Sequence, residues 1–272
     1  MQEQSTLILH KQTLPFLNIS LYLNDIKPVE SLTIENTSET DSASLEIKIT
    51  ADLPCIEPFN YSVQFVPAKK DVKIPLENLK VNRDFLNKLS ETEKANITIE
   101  VYEKEVAILK ETIAINIHPL EHFGGFQVLP ELIAAYVTPN HPYIYQIKRK
   151  AIEILEKQGL KTAFEGYQSN DTERVLQIMS AIYSAIQSEE IIYSSLPPGY
   201  EEMGQRLRLL NTIQQEKFGN CIDISLLFAA CLEAVDLNPI LIIVRGHAFV
   251  GCWLQDEKFS EIVNDDKTAI TK

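Results

Sequence analysis

Residues 217–223 read KFGNCID, and an apolar run follows them as far as Val235. This pattern predicts a buried helix with Cys221 at its first turn, after Gly219, which lets the backbone approach closely. A helix N-terminus and a nearby imidazolium both stabilise a thiolate, and such surroundings lower the pKa of a cysteine from ~8.5 to roughly 3.5–7.5. Cys221 is therefore the candidate nucleophile, whereas Cys231, inside the apolar run, is predicted to be a core residue.

A histidine follows on the second of two predicted strands. Residues 240–244 read ILIIV, and residues 245–253 read RGHAFVGCW. Alternation along the second strand puts His247 on one face and Cys252 on the other, so Cys252 is expected to point away from the histidine. The 26 residues from Cys221 to His247 are enough for a helix, a turn and a strand. This path predicts that His247 returns toward the helix N-terminus, where it would act as the base for the thiol.

Two aspartates, Asp265 and Asp266, are the candidates for the third member of the site. A carboxylate there would accept a hydrogen bond from the second imidazole nitrogen, fix the tautomer and stabilise the imidazolium. The order Cys, His, Asp thus supplies a nucleophile, a base and an orienting group. Either aspartate can instead cap a following helix that starts at Lys267.

The ordered set resembles the transglutaminase-like fold, which belongs to the papain-like group of thiol enzymes. It combines Gly219-Asn220-Cys221 at a helix start, a buried helix, His247 on the second of two strands and an aspartate on the next element. The resemblance covers roughly residues 130–272. It implies an aspartate at the end of the strand that pairs with the histidine strand, so Asp265 is the first choice and Asp266 the alternative.

The resemblance also implies chemistry. Papain-like enzymes often take a second oxyanion donor from an upstream side chain, for which Gln215 is the candidate beside the backbone N–H of Cys221. The implied activity is acyl transfer on amide or peptide bonds of a peptide or protein substrate, by hydrolysis rather than cross-linking. No cofactor and no metal are expected, because no cluster of ligands surrounds His247.

Three stretches are similar to the N-terminal region of very large bacterial helicase-like proteins. They are residues 135–142 (AYVTPNHP), 218–223 (FGNCID) and 245–253 (RGHAFVGCW). Residues 268–272 also stop within what looks like a starting helix, which suggests that the chain is the front part of a longer polypeptide. The alternative function is therefore a catalytically inactive transglutaminase-like binding module attached to a helicase-like remainder.

The first 118 residues have a different pattern, with apolar and polar residues in alternation. Strands are predicted at 16–23, 44–49, 61–66, 95–102 and 112–117. About seven such strands predict an immunoglobulin-like β-sandwich. Pro119 and the pair Gly124-Gly125 then interrupt the periodicity. The predicted organisation is a sandwich domain at 1–118, a linker at 119–129 and a transglutaminase-like α+β domain at 130–272.

Helical periodicity dominates after the linker. Helices are predicted at 143–158, with Gly159 as the cap, and from an N-cap at Asp171 to about Ser188. Residues 200–217 are predicted to be helical and to deliver the chain to Gly219. The fold class expected for the whole chain is α+β.

Net charge limits the range of partners. The formal net charge is −13, which argues against binding of a nucleic-acid phosphate backbone over a broad surface. Neither a signal peptide nor an apolar run long enough to span a bilayer is apparent. The four cysteines have no paired or metal-type spacing. A cytoplasmic location with reduced thiols and no membrane contact is expected.

Overall fold

The computed structural model describes residues 6–195, 204–266 and 268–269. The chain divides between His122 and Phe123 into two compact units, within the linker predicted at 119–129. That segment is ordered rather than loose, because it contains the short strand β9 (His122–Phe123) and the side chain of Phe123 is fully buried. Strands dominate the first unit and helices the second, which confirms the predicted α+β class.

The first unit contains two sheets. One has the strand order β1 (Leu7–Thr13), β3 (Val29–Asn36) and β6 (Asp71–Lys73). The other has the order β2 (Phe16–Leu17), β8 (Val106–Ile117), β7 (Glu93–Glu103), β4 (Leu45–Ala51) and β5 (Phe59–Val63). The pairings are antiparallel except for β2 with β8. Alternate residues of β4 and β7, such as Ile47, Ile97 and Ile99, are fully buried, as period-two alternation predicts.

The prediction of one continuous strand over residues 16–23 is wrong. Strand β2 ends at Leu17, and helix α1 (Ile19–Leu23) begins after Asn18. The side-chain oxygen of Asn18 accepts from the backbone N–H of Leu21 at 2.9 Å, and its amide donates to the carbonyl of His122 at 3.1 Å. This N-cap satisfies the helix start and outweighs the alternation of the apolar residues. A second short helix, α2 (Arg83–Leu86), is capped by Asn82 in the same way.

A buried histidine lies at the end of the first unit. His118 is 8% exposed, and its ring stacks on that of His122 with 3.9 Å between centroids. Its Nδ1 lies 2.9 Å from the hydroxyl of Thr92. Burial, with the charge of His122 as a smaller contribution, lowers the pKa of His118 to about 4.

The second unit is built on helices. They are α3 (Pro142–Lys157), α4 (Thr172–Gln187), α5 (Leu210–Glu216) and α6 (Cys221–Glu233), with 3-10 turns at Pro130–Tyr136 and Gly166–Ser169. The short strands are β10 (Ile192–Tyr193), β11 (Gln205–Arg206) and β12 (Phe218–Gly219), and a hairpin is formed by β13 (Pro239–Val244) and β14 (His247–Cys252). The predicted boundaries of α3 and α4 are confirmed, including the Asp171 cap, whose carboxylate accepts from the N–H of Glu173 at 2.9 Å.

The helix predicted over 200–217 is only partly formed. Residues 200–203 lie outside the described residues, β11 occupies positions 205 and 206, and α5 begins at Leu210. Helix α5 ends where Lys217 adopts a left-handed conformation with φ of 51°. This turn directs the chain into β12 and then into α6.

Helix α6 runs through the core of the second unit. It is apolar on nearly all sides. Its buried residues, such as Leu227, share one core with Ile147 of α3 and Ile178 of α4. The hairpin covers α6 with Val250 and Cys252. Cys231 is fully buried, as predicted, and burial raises its pKa to about 12. Among the helices of the described residues, none has both the length and the apolar character of a membrane span.

Candidate thiol site

A buried polar network fixes the start of α6. Asn220 is the N-cap, and its side-chain oxygen accepts from the N–H of Asp223 at 3.1 Å. The Asp223 carboxylate in turn accepts from the N–H of Asn220 at 3.0 Å, which completes a capping box. Both side chains are at most 4% exposed. Cys221 is consequently the first helical residue, as the sequence predicted.

Arg208 completes this network from outside the helix. Its backbone N–H donates to one carboxylate oxygen of Asp223 at 2.9 Å, and its guanidinium donates to the other at 3.2 Å. The guanidinium also lies over the ring of Phe218, 4.4 Å from the centroid. Burial raises the pKa of Asp223, and the hydrogen bonds from Arg208 and Asn220 counteract part of that rise. The helix start at Cys221 is therefore fixed by residues whose buried polar atoms are hydrogen-bonded to one another.

A tyrosine that the sequence analysis did not consider lies beside the thiol. Strand β10 runs parallel to β12 and pairs Tyr193 with Gly219, two positions before Cys221. Partial burial, followed by the charge of Cys221 and a hydrogen bond with its side chain, raises the pKa of Tyr193. Tyr193 is 53% exposed and Cys221 only 4%.

The hairpin packs against α6. Strand β13 follows the helix after a short connection, and both β13 and β14 contact it. Helix α6 has 13 residues and β13 has 6, so each is about 20 Å long at ~1.5 and ~3.3 Å per residue. These matched lengths fit the predicted return of His247 toward the first turn of α6, which stays a prediction.

The side chain of His247 lies on the open face of the hairpin. Ala248 is buried, and Val250 and Cys252 pack into the core, which confirms the predicted alternation and the inward direction of Cys252. His247 is exposed, and its ring lies against that of Phe249 with 6.2 Å between centroids. The Cys221–His247 pair stays a prediction.

The two aspartates lie in an irregular segment. The strand that the resemblance implied ahead of Asp265 is not formed, since positions 253–266 of the described chain contain no strand. Asp265 is exposed. The Asp266 carboxylate accepts from the N–H of Thr268 at 2.9 Å and from its hydroxyl at 2.8 Å, and these bonds lower the pKa of Asp266. Asp266 therefore accepts local hydrogen bonds in a turn, and Lys267, where the alternative placed a helix start, lies outside the described residues.

The glutamine candidate for the oxyanion is on the surface. Gln215 is exposed on α5, and its neighbour Gln214 donates to the side chain of Gln146 at 2.9 Å. The backbone N–H of Cys221, at the free start of α6, is a donor of the kind that an oxyanion requires. Within the described residues, no three His, Cys, Asp or Glu side chains are grouped as metal ligands.

Sequence reasoning missed Tyr193, Arg208 and Asp223. A signal existed only for Asp223, because Asn220 and Asp223 have the three-residue spacing of a capping box. The chain matches no model of a known protein family and no curated protein. Its function is therefore argued from the geometry of the α6 N-terminus.

Proposed function

We propose that the N-terminal end of α6 is a thiol acyl-transfer site in which Cys221 attacks amide or peptide bonds of a peptide or protein. The observation that carries the proposal is the position of the thiol at the first turn of a 13-residue helix whose start is fixed by a buried capping box. The helix dipole favours negative charge there. A defined backbone also holds the Cys221 N–H in one direction, which an oxyanion donor needs.

The chemistry has two steps. His247 takes the thiol proton as the Cys221 sulfur adds to the carbonyl carbon, and it gives that proton to the amine as the C–N bond breaks, so that a thioester remains. His247 then takes a proton from water, which adds to the thioester carbonyl, and returns it to the sulfur as the S–C bond breaks and the acid leaves. The packing of β14 against α6 supports this role, which requires the His247 side chain to turn from the open face of the hairpin toward the thiol. Asp265 is proposed as its orienting carboxylate, with Asp266 as the alternative.

Competitive alkylation tests the site. Iodoacetamide at about pH 6 should modify Cys221 of the full chain faster than Cys252, the other cysteine that is not fully enclosed. Burial raises the pKa of the Cys252 thiol, so Cys252 is the internal reference. An activated ester should also leave an acyl group on Cys221, detected by peptide mass spectrometry and absent in Cys221→Ser. Labelling of Cys221 that is no faster than that of Cys252, without an acyl adduct, would disprove the proposal.

A second candidate is an inactive binding module at the front of a longer, helicase-like polypeptide. The open face of the hairpin favours it, because Val244 and Phe249 are 45% and 42% exposed beside His247. Exposed apolar side chains that share one face can form a binding surface for a partner protein. His247→Ala separates the two functions: it should abolish acylation at Cys221 if the site is an enzyme, and leave alkylation unchanged if it is not.

The finer fold assignment is part of the same proposal. The two sheets of the first unit support an immunoglobulin-like sandwich, and the order of buried helix and hairpin in the second supports a transglutaminase-like domain. All four cysteines are free, which supports a reducing, cytoplasmic location.

A further inference from the structure

A buried carboxylate that the proposed chemistry does not use joins α3, the end of α4 and the segment before α6. Glu189 follows α4, and its side chain is 6% exposed. One carboxylate oxygen accepts from the ammonium of Lys150. The other accepts from the ammonium of Lys217 and from the hydroxyl of Tyr143, the latter at 3.0 Å. Burial alone would raise the pKa of Glu189, but these bonds hold its pKa below the ordinary value, so the carboxylate is ionised at neutral pH.

The backbone and the side chain of Lys217 are both held in place. Its N–H donates to the carbonyl of Ile213 at 2.9 Å, and its carbonyl accepts from the N–H of Ile192 in β10 at 2.8 Å. Its ammonium bonds to Glu189 and lies 5.5 Å from the centroid of the Tyr143 ring. The left-handed φ of 51° is unfavourable for a residue with a side chain and persists only where surrounding contacts impose it.

Lys217 stands directly before the segment that carries the chain into the thiol site. Three residues separate it from Cys221, and two of them form β12. The third is Asn220, the N-cap of α6. The contacts of Lys217 therefore fix one end of this short segment, and the capping box fixes the other. Together they set the direction of the Cys221 backbone N–H.

We propose that the ion pair of Glu189 and Lys217 positions the thiol site, because it holds the segment before α6 so that the Cys221 N–H points at the developing oxyanion. The inference rests on the proposed function and adds to it two positioning residues that act through the backbone. A donor stabilises an oxyanion only from the place where the charge develops, so a small displacement of the helix start lowers the rate of acyl transfer. Lys150 and Tyr143 anchor the carboxylate on α3.

Two reactions of the same sulfur separate this role from a contribution to stability alone. Iodoacetamide alkylates a thiolate by displacement at a saturated carbon and forms no oxyanion, whereas p-nitrophenyl acetate acylates it through a tetrahedral oxyanion. Both rates are measured at Cys221 of the full chain at about pH 7 by peptide mass spectrometry. The ratio of the acylation rate to the alkylation rate cancels the thiolate fraction and isolates the effect of the oxyanion donor.

The test compares Lys217→Met with Lys150→Met as the matched control. Each substitution removes one ammonium from the same carboxylate, and the two lysine side chains are 41% and 42% exposed. Lys217→Met should lower the ratio by about tenfold, a part of the roughly 10²–10³-fold loss that removal of an oxyanion donor causes. Lys150→Met leaves the bond between Glu189 and Lys217 in place and should leave the ratio unchanged.

Two results would overturn the inference and leave the proposed function intact. One is an equal ratio in the two variants while Cys221 of the unaltered protein is acylated. The other is a loss of both rates by the same factor in Lys217→Met, because the ion pair would then only stabilise the fold. If Lys217→Met does not fold, Lys217→Gln and Lys150→Gln replace the two variants, and the same ratios decide. If Cys221 of the unaltered protein is not acylated, the proposed function and this positioning role fail together.

Discussion

The first turn of α6 and its middle place the same side chain in opposite environments. Cys231 is surrounded by apolar core residues, and burial alone raises its pKa to about 12. Cys221 is almost as inaccessible, but it lies at the helix start, which a capping box and an arginine–carboxylate pair fix in place. The comparison teaches that burial in an apolar core makes a cysteine inert, whereas a cysteine at a capped helix start lies where the helix dipole favours negative charge.

Among the substitutions that test this comparison, removal of the Asp223 carboxylate should have the largest effect on stability. Asp223→Ala leaves Arg208 without its carboxylate and the start of α6 without half of its capping box. We expect a loss of about 3–5 kcal/mol in the free energy of unfolding, the range for removing one partner of a buried ion pair. The single tryptophan, Trp253, lies in the second unit and reports its unfolding in urea by fluorescence.

Asp265→Ala is the control for that variant, since it removes an exposed carboxylate. It should change the free energy of unfolding by less than about 0.5 kcal/mol. Equal effects of the two substitutions would mean that the network at the first turn of α6 contributes no more than a surface charge. Loss of preferential Cys221 labelling in Asp223→Ala, at temperatures where the second unit stays folded, would show that the helix start also orients the thiol.

His118 extends the comparison to a buried group in the first unit. Its pKa is lowered to about 4, below the unfolded value of 6.5, so the unfolded chain binds a proton that the folded chain does not. Acidification from pH 6.5 to pH 4 should therefore destabilise the first unit, by up to about 3 kcal/mol from this group alone. Above pH 6.5 His118 contributes no pH dependence.

Amide hydrogen exchange in β7 and β8 measures this effect separately from the second unit. Carboxylates also titrate toward pH 4, so the informative quantity is the difference between the unaltered protein and His118→Phe. That difference should vary between pH 6.5 and pH 4 and be constant above. A constant difference over the whole range would contradict the lowered pKa.

Serine substitutions compare the two cysteines of α6 directly. Cys231→Ser puts a hydroxyl into an apolar core and should cost about 2 kcal/mol. Cys221→Ser keeps a hydrogen-bonding group beside Tyr193 and should cost less than about 1 kcal/mol. Urea titrations followed by Trp253 fluorescence measure both. A larger cost for Cys221→Ser would indicate that its surroundings are as apolar as those of Cys231.

The smallest expected effects concern the two aspartates. Asp266→Ala removes the acceptor for two bonds from Thr268 in an exposed turn and should change the free energy of unfolding by less than about 0.5 kcal/mol. If Asp265 orients His247, Asp265→Ala should slow Cys221 labelling near pH 6 and Asp266→Ala should not. A change only in Asp266→Ala would reverse the assignment.

Periodic segments were predicted well from the sequence. Apolar spacing and helix caps predicted the strands β4 and β7 and the helices α3, α4 and α6, because both signals depend only on residues close together in the sequence. The strand predicted over residues 16–23 was wrong because the side chain of Asn18 caps a helix. The spacing of apolar residues does not reveal such a local hydrogen bond. The strand expected within residues 253–266 is absent there, because the resemblance and not the pattern of these residues had implied it.

The sequence by itself determined that a cysteine begins a buried helix and that a histidine follows on the second strand of a hairpin. Only the tertiary structure decided which polar groups meet the thiol. Arg208 lies 15 residues before Asp223, and Tyr193 is placed opposite Gly219 by a strand pairing whose two residues give no periodic signal. The direction of the His247 side chain was also set by packing, because Ala248, Val250 and Cys252 bury their face of β14 and leave the other open. Contacts between segments depend on how buried faces fit together, and no local pattern specifies that fit.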